Sequence, residues 1–350
     1  MTTKRIFIRD TAQISIQQPL CEAWMEDPIR YAEPYARSID PDFKPFFSPL
    51  EGRRMGKILK RALATSLSVV RRAGGAVPDA IITGTGLGCI ENTELFLTAM
   101  CREGESLLKP THFMQSTHNT ISSLLAINLK CHGYNVTYAH KGISFDSALF
   151  DAWLQFRLGQ IGSALVGGHD EMTPSYFTLL QRIGYVGGAT QDVCGETSVA
   201  VLLQAAEEPA DALCELVGMT LLYEPSAERL QAALAKLLDD AGLAPDGIDA
   251  VMTGINGNPD NDAWYASMLP LCAPGLPALH YKHLFGESYA ASGFALYAAA
   301  HCLHRGFVPE FLHCGSTPLP AHTPRNLLLI NQSDGKTASL ILLRALHPNR

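Results

Sequence analysis

Apolar positions along this chain alternate between helical three-and-four spacing and short continuous runs, the pattern of amphipathic helices laid against buried strands. In RRMGKILKRALATSLSVVRRA (53–73), Met55, Ile58, Leu59, Ala62, Leu63, Leu67 and Val70 share one helical face; Gly74-Gly75 stops the helix, and AIITGTG (80–86) follows as a strand. A helix over 118–130 feeds the strand GYNVTYA (133–139). A helix from about 143 to 158 feeds SALVGG (163–168), and ETSVAVLLQAA (196–206) reads as a strand buried on both faces. AERLQAALAKLLDDAGLAPDGIDAVMTGING (227–257) repeats the helix, turn and strand order of 53–86, which predicts a duplicated α/β architecture with halves 1–206 and 207–350. The join falls at EEPADALC (207–214). No Pro/Gly/Ser-rich linker separates the halves, so they are expected to pack as one unit.

Composition narrows the setting. The 350 residues are 47% hydrophobic and 17% charged, which suits a folded chain with a large core and argues against disorder. A net charge of -7, with basic residues no denser than pairs such as Lys60-Arg61 and Arg71-Arg72, excludes a nucleic-acid footprint. No apolar run reaches the length of a membrane span, and MTTKRIFIRD lacks a secretory signal pattern, so the expected location is the cytoplasm. Nine cysteines without a CxxC pair fit neither a disulfide framework nor a zinc module and predict reduced, mostly buried thiols.

Several stretches carry candidate chemistry. VTYAHKGISFDSA (136–148) passes from a strand through a turn into a helix, where a helix N-terminus can activate a side chain. His140 opens that helix, and its plainest role is a polar cap. Glu287, five residues after Lys282, reads as an internal ion pair or a functional contact. His280, Lys282 and His283 have no Cys or carboxylate at ligand spacing, so no metal site is expected. PDNDA (259–263) reads as a polar loop, and Cys89 as a buried small residue. GTGLG (84–88) lacks the third glycine and the ribose-binding acid of a dinucleotide loop, so no nicotinamide or other cofactor is expected.

Five segments in order resemble a β-ketoacyl synthase of the thiolase-like superfamily. GTGLGCIENTE (84–94) resembles its Gly-rich strand exit, and FMQSTHNTISSLLAINLKCHGYN (113–135) the helix leading to its Gly-Pro-Asn turn. ALVGGHDEMTPS (164–175) resembles its Gly-Gly-Ala-Glu strand, GETSVAVLL (195–203) its Gly-Glu-Gly strand, and KHLFGESYAASG (282–293) its Lys-containing segment. The resemblance implies a five-layered αβαβα sandwich of two pseudo-symmetric halves. It also implies a chemistry that needs a nucleophilic Cys at a helix N-terminus and two His side chains.

All three catalytic positions depart from the family pattern. Anchoring on Gly142 puts Ala139, beside His140, where the family has its Cys. In GINGNPDND (254–262), Gly254 stands for the first His while Pro259 and Asp262 keep the loop. After Lys282 and Gly286, Glu287 stands for the second His. The gating loop corresponds to NQSDGKTA (331–338), with Ser333 and Gly335 at its centre. HFMQSTHNTISS (112–123), with Phe113, Met114 and His118, corresponds to the family's dimer interface and acyl tunnel.

The resemblance therefore implies a non-condensing subunit similar to the chain-length factors of type II polyketide and aryl polyene (flexirubin-like) systems. Such a chain pairs with an active ketosynthase, or with itself, and works with an acyl carrier protein. Two other readings compete: an acyltransferase or thioesterase acting through His140 and Glu287, and a stand-alone acyl-binding homodimer.

Overall fold

The computed structural model describes residues 4–105, 108–188, 191–207 and 211–346. The strands are β1 (Arg5–Ile14), β2 (Ala80–Gly84), β3 (Tyr134–Tyr138), β4 (Ser163–Asp170), β5 (Thr197–Ala206), β6 (Cys214–Tyr223), β7 (Ala250–Thr253), β8 (Ala278–His280), β9 (His313–Cys314), β10 (Asn326–Ser333) and β11 (Thr337–Arg344). The helices are α1 (Pro49–Gly52), α2 (Lys57–Arg72), α3 (Ile90–Glu103), α4 (Pro110–Ser116), α5 (Thr120–Leu129), α6 (Ser144–Arg157), α7 (Pro174–Arg182), α8 (Ala227–Asp240), α9 (Pro259–Cys272), α10 (Lys282–Phe285) and α11 (Ser292–Arg305).

The strand order is β3-β2-β4-β5-β1-β6-β11-β10-β7-β8-β9. Numbered within each half, the first five strands run 3-2-4-5-1 outward-in. Strands β6, β7, β8, β10 and β11 repeat that order in mirror sense, with β9 added at the far edge. The halves meet where β1 pairs with β6 at Phe7↔Glu215 and Ile8↔Cys214. Helix α6 of the first half also touches β6, and α11 of the second half also touches β1, β4 and β5, so both lie between the half-sheets. Their burial dictates their composition: all residues from Ser292 to Leu303 are buried, and α11 is apolar around its whole circumference. Helices α2 and α5 cover the outer face of the first half, and α8 and α9 that of the second. These are the five layers of a thiolase-like α/β sandwich.

Close backbone approach explains the Gly-rich strand exit, since a Cβ on Gly84 would lie 2.3 Å from the Ser144 carbonyl oxygen at the start of α6. The buried pair Asp170-Glu171 at the end of β4 organises the same region. Asp170 accepts from Thr85 Oγ1 and the Gly86 and Leu87 amides, while Glu171 accepts from Ile58 N and Glu91 N in the first turns of α2 and α3. Among the described residues no helix is long and apolar enough to cross a membrane. All nine cysteines are free thiols. The join expected at 207–214 includes residues 208–210, which lie outside the described residues.

Candidate functional site

Three loops from the second half, the turn before α6 and the segment 183–186 after α7 enclose a pocket of about 460 Å³. Its walls include Gly142 of the first half; Asn256, Asn258 and Asn261 from the loop after β7; Lys282 and Glu287 around α10; and Asn331, Gln332, Ser333 and Gly335 from the end of β10. The fold thus brings Glu287, Lys282, Ser333 and Gly335 to one pocket.

It does not bring Ala139 there. Strand β3 ends at Tyr138, Ala139 and His140 are exposed, and a 3-10 turn at Lys141–Ile143 then carries Gly142 inward. Gly142 accepts from Asn331 Nδ2 at 2.9 Å, and a Cβ on it would lie 3.3 Å from Ser333 Oγ. In this segment the residue that lines the pocket is Gly142, three residues after Ala139. Lys141, at φ 47°, makes the turn possible, and its ammonium bonds Asp334 at 2.8 Å. His140 is likewise outside the pocket. Its amide donates to Ser144 Oγ, and its Nδ1 lies 3.3 Å from Ser147 Oγ.

Gly254 is buried behind the pocket rather than lining it. A Cβ there would lie 2.4 Å from Tyr265 Oη and 2.9 Å from Asn331 Oδ1, so the tyrosine hydroxyl fills the space a larger side chain needs. Tyr265, on α9, is completely buried. PDNDA is the first turn of α9 rather than a loop. Asn258 caps the Asp260 and Asn261 amides, Pro259 sits at the first helical position, and Asp260 and Asp262 face the positive end of the dipole.

The polar side chains of the pocket are bonded mainly to one another. Glu287 Oε2 accepts from Lys282 Nζ at 2.7 Å and from Asn256 Nδ2 at 2.5 Å. Asn261 Nδ2 donates to Asn256 Oδ1 at 2.9 Å, Gln332 Nε2 to Asn261 Oδ1 at 2.6 Å, and the Gly335 amide to Gln332 Oε1 at 2.7 Å. Asp334 and Gly335, both at positive φ, form the tight Asp-Gly turn of the β10–β11 hairpin, closed by Lys336 N donating to Ser333 O. The expected gating loop is thus a short hairpin. Beneath it, Asn331 Nδ2 and the Ser292 and Ser339 hydroxyls donate to Asp146, whose pKa burial raises nonetheless. Cys194 is the thiol nearest this network, pairing by a single backbone bridge with Glu287. It is buried, and burial and then Glu287 push its pKa up, so it stays a thiol.

Phe113, Met114 and His118 lie on and after α4 and do not line this pocket. Phe113 and Met114 are 58% and 70% exposed, and Phe113 packs on Phe96 of α3 at 5.5 Å between ring centres. His118 is exposed beside Gly88. Asn256, Asn261, Gln332 and Asp146 were not singled out in the sequence, because amides and a carboxylate inside α/β segments carry no spacing signal.

Comparison with known proteins gives the geometry its context. The 3-oxoacyl-[acyl-carrier-protein] synthase 2 of Mycobacterium leprae is 25% identical over 280 residues, an alignment covering 70% of this chain and 66% of that synthase. The ishigamide ketosynthase/chain length factor superposes with a TM-score of 0.82 at 18% identity, covering 98% of this chain and 100% of that one. A structure of the ketosynthase ApeO in complex with its chain length factor ApeC, from Xenorhabdus doucetiae, gives a TM-score of 0.77 at 16% identity, covering 98% of both chains. Residues 22–235 match the N-terminal domain of β-ketoacyl synthases, and with more than half its length in that match the chain belongs to the β-ketoacyl synthase family.

Proposed function

We propose that this chain is a non-condensing, chain-length-factor-like subunit that pairs with an active ketosynthase in carrier-protein-dependent assembly of a polyketide, polyene or fatty-acid-like chain. The observation that carries the reading is the content of the pocket. Where a condensing enzyme needs a thiolate and two imidazoles, Gly142 has no side chain, Gly254 is backed by Tyr265, and Glu287 is tied to Lys282 and Asn256. A carboxylate bonded to an ammonium and an amide is neither a base poised for a substrate proton nor a donor to a thioester oxygen. The acyl-transfer alternative draws no support from the geometry, because His140 lies outside the pocket that holds Glu287.

The surface supports pairing. Strand β3 is an open edge without charged residues; Tyr134 on it, Ile127 on α5, Leu154 on α6 and Leu158 just after α6 are exposed. Phe113 and Met114 continue the exposed apolar surface on α4, which touches α5. There, in a pair, they are placed to meet the partner and to limit the length of its acyl tunnel.

The test is incubation of the purified chain with acyl-carrier thioester, alone and with a ketosynthase that has an intact Cys and two His. The expected outcome is no acyl adduct by intact mass and no turnover alone, with condensation only in the mixture. Phe113→Ala should lengthen the product while the complex stays assembled. Turnover by the isolated chain that is lost in both His140→Ala and Glu287→Ala would establish the acyl-transfer alternative instead.

A further inference from the structure

Helices α8 and α9 end around an apolar cavity of about 570 Å³ that shares no residue with the pocket at Lys282 and Glu287. Its floor is core. Leu234 and Leu238 of α8, Ile248 before β7 and Cys272, the last residue of α9, are all buried, yet all line this space. Burial pushes the Cys272 thiol up to about 11, so that wall is neutral, and among the described residues no hydrogen bond closes on its Sγ.

Prolines hold the cavity open. In LPLCAPGLP (269–277), Pro270 brings no N–H to the helical ladder, α9 stops at Cys272, and the chain turns through Gly275 at φ 72° with Leu276 N donating to Ala273 O at 3.2 Å. Pro274 on this turn and Pro245 on the connection after α8 are both wall residues. Fixed φ angles leave the space preformed, and its volume falls among those of small-molecule sites, about 300–1,000 Å³.

The charge around it has one sign. Neither α8 nor α9 has a basic residue in its last turn, so both present the negative end of the helix dipole. The nearby cations are engaged: Lys236 Nζ bonds Asp240 at 3.0 Å, and Arg344 Nη2 donates to the Ala241 carbonyl at 2.8 Å. Of the two polar side chains on the wall, Gln231 donates its Nε2 to Leu271 O at 3.0 Å. The other, Asp246, is exposed and has no ion pair among the described residues.

We propose that this cavity binds a small amphiphile whose aliphatic body fills the space between α8 and α9 and whose ammonium or guanidinium head pairs with Asp246. A carboxylate-headed chain such as a free fatty acid is disfavoured, because Asp246 and both helix ends repel it.

Isothermal titration calorimetry of the full chain with decylamine, decanol and decanoate at neutral pH tests this. Decylamine should bind about tenfold tighter than decanoate, with decanol between them. Asp246→Asn should cut the preference for the amine over the alcohol by about two- to fivefold. Ala235→Trp, at an exposed position on the wall, should abolish binding of decylamine and decanol alike. Thermal melts check folding, and Ala235→Leu carries the test if Ala235→Trp does not fold. The net charge of -7 attracts any cation, so decylamine binding that survives the Ala235 substitution is surface attraction and overturns the proposal. Decanoate binding as tightly as decylamine, an amine preference that Asp246→Asn leaves unchanged, or no binding of decylamine overturns it as well.

Discussion

Adding a single methyl group at Gly254 measures how tightly Tyr265 and Asn331 close the space beside that residue. The new Cβ would lie 2.4 Å from Tyr265 Oη and 2.9 Å from Asn331 Oδ1, both in the interior. Gly254 is not in the left-handed backbone region, so the penalty is steric. Overpacking of this kind costs about 1–3 kcal/mol. Loss of glycine's freedom in the unfolded chain returns about 0.4–1 kcal/mol, which leaves Gly254→Ala less stable by about 1–2 kcal/mol. Tyr265→Phe alone should cost about 1 kcal/mol or less, because that hydroxyl makes only long contacts with the Gly254 and Gln332 backbone. The double variant should recover most of the loss, a coupling of about 1 kcal/mol between touching groups. Urea unfolding of the four proteins at one concentration reads the cycle. A neutral Gly254→Ala, or a loss that Tyr265→Phe leaves untouched, would refute the claim that Tyr265 fills the site. The same contact means that a histidine does not fit at 254 while Tyr265 stays in place.

Other outcomes follow from the same geometry. Gly142→Cys should make the pocket reactive to iodoacetamide, seen by intact mass, where Ala139→Cys labels only as an exposed turn residue. Neither variant should condense acyl thioesters, because Glu287 and Gly254 still supply no imidazole. Lys282→Met leaves Glu287 largely buried with Asn256 as its remaining side-chain donor and should destabilise the chain by about 3 kcal/mol in denaturant titrations. Burial raises Asp170 to about 6 and Glu171 to about 7, against the hydrogen bonds that favour their charged forms. Both keep a proton in the folded state that the unfolded state releases, so their contribution is complete below pH 3.8 and 4.5 and is lost as pH rises through 6 and 7. The melting temperature should therefore fall from about pH 5 to about pH 7.5, and Glu171→Gln should flatten the slope while lowering stability overall. Glu22 acts in the opposite sense. The His301 hydrogen bond lowers it to about 2, so its stabilisation is present above pH 4.5 and fades as pH falls through 2.

The elements legible in the sequence are those with one buried face or a closed apolar run. Helices α2 and α8 carry a single apolar stripe, and β2 and β5 are continuous β-branched segments. Strand β1 is not legible that way. Its Arg5 and Asp10 belong to ion pairs with Glu215 and Arg72, partners distant in sequence, so polar residues interrupt the run. Helix α11 shows no amphipathic period because it is buried all round between the half-sheets.

The residue types at the site were also open to reading. The resemblance read in the sequence implies a Cys and two His where this chain has a turn without a thiol, a Gly in the loop before Pro259 and a Glu after Lys282, and residue types alone carry that expectation. Which of these residues reach the pocket was a tertiary matter. The turn between β3 and α6 sends Ala139 and His140 to solvent and Gly142 inward, a choice set by backbone path that the local sequence does not name. Tyr265 fills the space beside Gly254 only because α9 starts at the Asn258 cap and packs its buried tyrosine against β7 and β10. Asn256, Asn261 and Gln332 come from separate segments and become one network only when those segments fold together. Each amide's geometry is fixed by partners that the local sequence does not name.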